Sequence, residues 1–181
     1  MYGYMGRILI VDLSDQAVTI EKKEIPFYRK YLGGSFLAAK LFADHVIQNE
    51  QLTAFAEKSP IVFAPGPMAG DNLCGMTRVN ILSLSPETPG IYTSQAGGEF
   101  GPEIKRAGYD ALVIKGQAKN PTYLTIDNDH IEFCDAGEYW GQDRISTYYQ
   151  LSGKYENRYT VATMGPAAEN LVYHANIMFE P

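Results

Sequence analysis

The sequence predicts an α+β domain: two pseudo-repeated halves with mixed and antiparallel sheets packed inside and helices outside, a four-layer α/β/β/α sandwich. Three observations point there. Short apolar runs bounded by turn residues recur along the chain and read as strands. Apolar residues at helical spacing separate several of them, most clearly Phe36, Ala39, Ala43 and Val46. Finally, Gly33-Gly34-Ser35-Phe36 and Gly97-Gly98-Glu99-Phe100 each precede an alanine-containing helix signal and then a short apolar strand. That shared order argues for two similar halves within a single domain, residues 1–181.

Taken in order, Arg7 to Asp12 and Ala17 to Lys22 read as a strand pair around the turn Ser14-Asp15-Gln16. A short helix is expected over Phe27 to Leu32, then a helix from Phe36 to Val46 with Ser35 as its N-cap. Ile61 to Ala64 is a buried strand. The long glycine- and proline-rich loop Pro65 to Thr77 delivers Arg78 to the mouth of the strand Val79 to Leu84. Ile91 to Ser94 is the next strand, followed by a helix that Gly108 closes and by the strand Ala111 to Lys115. Thr122 to Asp127 and His130 to Asp135 form a hairpin about Asn128-Asp129. A helix from Arg144 to Leu151 starts on Asp143, and strands at Arg158 to Met164 and Leu171 to Ile177 flank the turn Gly165 to Asn170.

The composition, 45% hydrophobic and 20% charged, suffices for a buried core. A formal charge of −6 argues against a nucleic-acid surface. No apolar run reaches membrane-spanning length and the opening Met1-Tyr2-Gly3-Tyr4 is no signal peptide, so a cytoplasmic protein is expected. Cys74 and Cys134 are expected to be free thiols, too few to hold an iron–sulfur cluster or a structural zinc by themselves.

The chemistry concentrates on Tyr92 to Pro102, where a strand runs into paired glycines and a helix begins at once. Glycine lets a ligand approach the main chain, and a helix start offers unpaired N–H groups. The stretch reads as a seat for an anion such as phosphate; the competing reading is a glycine turn that serves close packing. Arg78 is the leading side chain, because a guanidinium stays charged and grips phosphate in a fork. Glu99 would repel an anion and is expected to face away or to serve the substrate side. Lys105 and Arg106 sit where cations suit the helix dipole. His45, His130 and His174 lack companions at metal-ligand spacing, and no catalytic set appears.

Several motifs in register resemble the N-terminal domain of the tungsten-containing aldehyde:ferredoxin oxidoreductases. These are Met1-Tyr2-Gly3 to Gly6-Arg7-Ile8-Leu9, Asp12-Leu13-Ser14, Tyr31-Leu32-Gly33-Gly34 and Ala64-Pro65-Gly66-Pro67. The most specific are Gly97-Gly98-Glu99-Phe100-Gly101, Ala107-Gly108-Tyr109-Asp110-Ala111 and Gly165-Pro166-Ala167-Ala168-Glu169-Asn170-Leu171-Val172. The chain departs from the pattern at Met76-Thr77-Arg78-Val79-Asn80, where the family more typically has Gly-Gly-Arg-Tyr-Asn, and at Gln95-Ala96, where it often has Asn-Ser.

The resemblance implies a base for a tungsten (or molybdenum) bis-pterin cofactor. Arg78 would contact pterin or its phosphate, and Gln95, Ala96, Gly97 and Gly98 would line the phosphates. The Gln95 backbone carbonyl would help hold a bridging magnesium. The family oxidises aldehydes to carboxylic acids and passes electrons to ferredoxin; its 4Fe-4S cluster and proton-transfer residues lie outside the matching part. The expectation is therefore a cofactor-binding domain that is inactive alone. Its partners would be the missing C-terminal domains or a subunit carrying them, and its exposed face should drive homo-oligomerisation. The alternative is a stand-alone, non-enzymatic module that keeps the fold for cofactor carriage, assembly or partner binding.

Overall fold

Continuous apolar runs belong to strands buried on both faces, and the central strands behave accordingly. The computed structural model of the chain describes residues 3–46, 52–71 and 74–180. Met1 and Tyr2 of the opening motif, and Asn72 and Leu73 of the long loop, lie outside them. Strand β1 (Arg7–Asp12) buries all of Ile8, Leu9, Ile10 and Val11. It pairs antiparallel with β2 (Ala17–Lys22) on one side. Further along the chain come β3 (Ile61–Pro65), β4 (Val79–Leu84), β5 (Ile91–Ala96) and β6 (Ala111–Lys115). Parallel pairing of β6 with β1 joins them into one six-stranded mixed sheet of order β2-β1-β6-β3-β4-β5.

Side-chain alternation divides the core in two. Helix α1 (Ile25–Tyr31) and helix α2 (Gly34–Val46) cover one face. There Leu37, Ala38, Leu41 and Phe42 meet Ile8, Ile10, Val62, Leu82 and Val113. Helix α3 (Phe100–Arg106) covers the other through Ile104, against Leu9, Phe63, Val79 and Leu112. The hairpin of β7 (Thr122–Asp127) and β8 (His130–Asp135) joins that second face through Leu124, Ile126, Ile131 and Phe133. Beyond the hairpin, Tyr123 packs with Tyr139, Val161 and Leu151 of helix α4 (Arg144–Lys154). The α+β class and the six strands of the main sheet agree with the sequence. The expected pair of matched halves does not take the form of two comparable sheets: one has six strands and the other two. Helices α2 and α3, which follow the two glycine pairs, grip opposite faces of the same sheet.

Three local expectations are corrected. Residues 158–164 and 171–177 form no strands; a single bridge links Thr163 to Met178, and α5 (Pro166–Glu169) lies between. Burial still alternates from Val161 to Met164, so the side-chain pattern is that of a strand, but no neighbouring strand completes it. Helix α1 starts at Ile25, since Pro26 fits the first turn. Ser35 lies inside α2 and is no N-cap; its hydroxyl donates to Asn80 Oδ1 at 2.6 Å. Asp143 does cap α4, accepting from the amides of Ile145 and Ser146 at 3.0 Å each. Gly108, at φ 92°, ends α3, with the Tyr109 amide reaching back to the Ile104 carbonyl at 3.1 Å.

Lys105 does lie in the last turn of α3, and it is buried. Its ammonium donates to the Gly3 carbonyl at 2.9 Å and to the equally buried Asp110 carboxylate. Asp110 in turn accepts from the amides of Met5 at 3.0 Å and Gly6 at 2.8 Å. Tyr4 stacks on Tyr28 at 4.5 Å beside this cluster. Burial, and after it the neighbouring Asp110 carboxylate, push the Tyr28 hydroxyl well above its ordinary range. The N-terminal arm is thus fixed by a desolvated ion pair whose spare hydrogen-bonding capacity is met by main chain. Asp110→Ala would strand the Lys105 charge and is expected to cost about 3–5 kcal/mol. Lys23→Ala, breaking the half-exposed surface pair with Glu21, should cost less than about 1 kcal/mol. Denaturant midpoints of the two variants decide it, and equal losses would refute this account of the arm.

Candidate functional site

Strand register builds the site. In the antiparallel β4–β5 ladder Val79 faces Ala96 and Asn80 faces Gln95. One residue further along stand Arg78 on one chain segment and Gly97 on the other. Arg78 and Gln95 share the α2 side of this open sheet edge, and Arg78 Nη1 donates to Gln95 Oε1 at 3.3 Å. Both are exposed. No carboxylate among the described residues pairs with Arg78, whereas Arg7 is held by Asp129 and Arg106 by Glu99 and Glu103. The Glu99 carboxylate accepts from Arg106 Nη1 at 2.9 Å.

The glycines of the turn serve different ends. A Cβ on Gly101 would sit 3.0 Å from the Thr77 carbonyl oxygen and 3.2 Å from Val79 Cβ, so this glycine permits close packing of α3 on β4. Gly98 has a φ of 83°, and a Cβ there would fall 2.7 Å from a Glu180 carboxylate oxygen. Gly97 differs from both. Its φ lies outside the left-handed region and a Cβ would meet nothing within 4 Å, so neither strain nor packing calls for glycine. What the missing side chain leaves there is open main chain.

One sequence expectation changes here. The Glu99 amide, counted among the free donors of the turn, is taken by the Glu180 carboxylate at 2.9 Å. The amides of Gly97 and Gly98 make no hydrogen bond among the described residues. Glu180 was not legible in the sequence, because that bond closes a loop of 81 residues. It is held in place by Phe179, which packs on Phe100 at 4.7 Å and on Phe63. Asn80 was also missed; a lone amide inside the apolar run Val79 to Leu84 was its signal.

The arrangement is a shelf rather than a pocket. Clefts of about 820 and 710 Å³ lie elsewhere, and neither is lined by Arg78 or Gln95. No cluster of three or more His, Cys, Asp or Glu side chains able to hold a metal occurs among the described residues. Cys74 and Cys134 are free. The fit to a phosphate-bearing cofactor is that of one wall: an unpaired guanidinium, a carboxamide and bare main chain converge without enclosing anything.

The open edge of the mixed sheet thus carries an unpaired guanidinium, a carboxamide and bare main chain side by side. The chain belongs to the aldehyde ferredoxin oxidoreductase family: the family model "Aldehyde ferredoxin oxidoreductase, N-terminal domain" matches residues 8–181. It is 35% identical over 179 residues to a tungsten-containing aldehyde ferredoxin oxidoreductase of Thermococcus kodakarensis, covering 98% of this chain and 29% of the relative. An aliphatic sulfonate oxidoreductase, WOR-like subunit, of Pyrococcus furiosus is 36% identical over 152 residues, 83% of this chain and 24% of that protein. Among solved structures, the active site complex BamBC of benzoyl coenzyme A reductase with 1,5 dienoyl-CoA aligns at TM-score 0.91 and 31% identity, over 98% of this chain and 27% of that one. The chain thus spans less than a third of the length of these relatives.

The histidines stay outside the site. Burial, and next the charge of Lys115, hold the His45 imidazole below its ordinary value. The unfolded chain then binds this proton at higher pH than the fold does. Stability is therefore lost as pH falls from about 6.5 toward the depressed value. His45→Gln should flatten that slope when melting is followed from about pH 7.5 to 5.5; an unchanged slope would contradict the assignment.

Proposed function

We propose that this chain, as one domain spanning residues 1–181, is the cofactor-binding N-terminal domain of a tungsten (or molybdenum) bis-pterin oxidoreductase. Such an enzyme would oxidise aldehydes to carboxylic acids with ferredoxin as acceptor, and this domain would be inactive alone. The observation that carries the reading is Gly97, a glycine needed for neither turn nor packing, beside an Arg78 guanidinium with no carboxylate partner. Arg78 would hold the pterin or its phosphate, and the main chain of Gln95, Ala96, Gly97 and Gly98 would face the phosphates. The Gln95 carbonyl would serve a bridging magnesium. When bound, the metal and pterin supply the redox chemistry, while this chain binds and orients them. The four-layer sandwich belongs to the same reading, with α2 outermost on one side of the sheet and hairpin and α4 on the other.

The partners proposed are the remaining family domains, in the same polypeptide or a separate subunit, and through them ferredoxin and a 4Fe-4S cluster. No helix of the described residues is long and apolar enough to cross a membrane, and a cytoplasmic location fits this role. One observation favours the second reading, a non-enzymatic module: the Glu180 carboxylate already occupies the Glu99 amide and adds negative charge beside the turn.

Two substitutions decide between them. The chain is co-expressed with the downstream portion of a relative in tungstate medium, and tungsten and molybdenum are measured in the purified protein. Arg78→Ala removes a charge-assisted contact of roughly 1.5–3 kcal/mol and should lower metal content about tenfold or more. Gly97→Ala should do the same by blocking the main chain, while leaving melting unchanged or slightly raised. Metal retained in both variants would reject Arg78 and Gly97 as anchors, and metal never acquired would leave the non-enzymatic module. Exposed apolar side chains such as Ile91 and Tyr92 on edge strand β5 are expected to make the isolated chain self-associate. A clean monomer by light scattering at high concentration would contradict that.

A further inference from the structure

We propose that the start of helix α2 and the Asn80 carboxamide together form a second phosphate subsite, on the α2 side of the shelf. This subsite rests on the reading of the shelf as a phosphate-binding wall and deepens it by naming where a further phosphate monoester is held.

A helix start leaves its first amides without partners inside the helix, and the dipole there favours negative charge. In α2 nothing in the chain meets that demand. Its first turn holds no acidic residue. The one hydroxyl of that turn, on Ser35, is committed to Asn80 Oδ1 at 2.6 Å. The amides of Ser35 and Phe36 make no hydrogen bond among the described residues, and both residues are exposed. The turn is also held ready: Gly33 packs on Pro67, and the Leu32 amide donates to the Tyr28 carbonyl at 2.6 Å.

Asn80 supplies the second, independent observation. It is only 8% exposed, a lone carboxamide in a strand whose other buried residues are apolar. Its Nδ2 stands at the first residue of α2, 2.8 Å from where a Cβ on Gly34 would fall. With Oδ1 taken by Ser35, the donor end of the amide is the end left over, and it donates to nothing among the described residues. Nor is it sealed off: the occluded side-chain atoms without partners are Tyr28 OH, Thr147 Oγ1 and Ser152 Oγ. A nearly buried donor that stays reachable and unmet calls for an acceptor from outside. Asn80 also stands opposite Gln95, so the row of polar groups runs on to Arg78.

The chemistry of the occupant follows from the donors. Two amides and one carboxamide N–H, with no acceptor turned outward among them, exclude a cation. A planar carboxylate offers two oxygens and leaves one of the three donors unmet, whereas a tetrahedral phosphate has an oxygen for each.

The test titrates inorganic phosphate into the chain at constant ionic strength and follows the amide resonances of Ser35, Phe36, Gly97 and Gly98. Saturable shifts at Ser35 and Phe36 are expected. Asn80→Ala should raise the phosphate Kd read there about tenfold. Phe36→Glu places a carboxylate on an exposed position of the first turn, where it suits the dipole. Melting should therefore stay unchanged or rise, while the phosphate Kd rises about tenfold or more. A merely structural role for the helix start predicts no such opposition. Unshifted Ser35 and Phe36 amides, or an unchanged Kd in Phe36→Glu, would overturn the subsite, even where Asn80→Ala fails to fold. Shifts confined to Gly97 and Gly98 would overturn it and leave the Arg78 shelf standing. Shifts confined to Ser35 and Phe36 would uphold it and count against the Gly97 seat. In the co-expressed, tungsten-loaded complex, metal lost from Phe36→Glu names a cofactor phosphate as the occupant, and metal retained names a free or substrate phosphate.

Discussion

Everything at the shelf depends on the register of β4 against β5. Because side chains alternate, a slip of one residue would turn Val79 and Ile81 toward α2 and carry Asn80 away from Ser35. It would also separate Arg78 from Gln95. The register is over-determined from both faces. Gly101 lets α3 press on the backbone at Thr77 and Val79, and Gly34, at φ 56°, leaves space that the Asn80 amide fills. The two glycine-led helices therefore act as opposed jaws on the strand that presents the guanidinium. Packing, not the dipole of a short helix, is the main service these helices render to that strand.

What could be read from the sequence follows from what each element needs in order to exist. Strands β1, β3, β4 and β6 announced themselves because burial on both faces demands unbroken apolar runs, and the hairpin because its turn residues sit between alternating segments. Asp143 was legible because a cap is a local bond. The misread strands involve distant partners. Residues 158–164 carry strand-like alternation, but a strand is defined by its neighbours, and sequence pattern says nothing about whether a neighbour is present. Lys105 looks like any cation at a helix end until Asp110 and the Gly3 carbonyl are seen to enclose it.

The site was legible in the same measure. Arg78 and Gln95 do come together, because a strand, a turn and a strand are a short-range arrangement whose geometry the sequence implies. The glycine turn was read as one seat, and its glycines differ: conformation calls for glycine at Gly98, packing at Gly101, and neither at Gly97. Glu180 was invisible because only the aromatic contacts of Phe179 bring it there. Several family motifs also acquire a physical meaning. Gly3 and Gly33 both lie against Pro67: a Cβ added to the former would fall 3.2 Å from its carbonyl oxygen, and one added to the latter 2.8 Å from its ring. Motifs far apart in sequence are thus the two sides of one contact.

The Lys105–Asp110 pair carries a consequence for descent. Either residue alone leaves a charge with no water and no counter-charge, whereas a well-packed apolar pair of similar volume can be tolerated. The path between the two solutions passes through a destabilised single substitution. Across lineages these two positions should therefore change together or stay as they are, and the first residues of the chain, whose amides Asp110 holds, should track them.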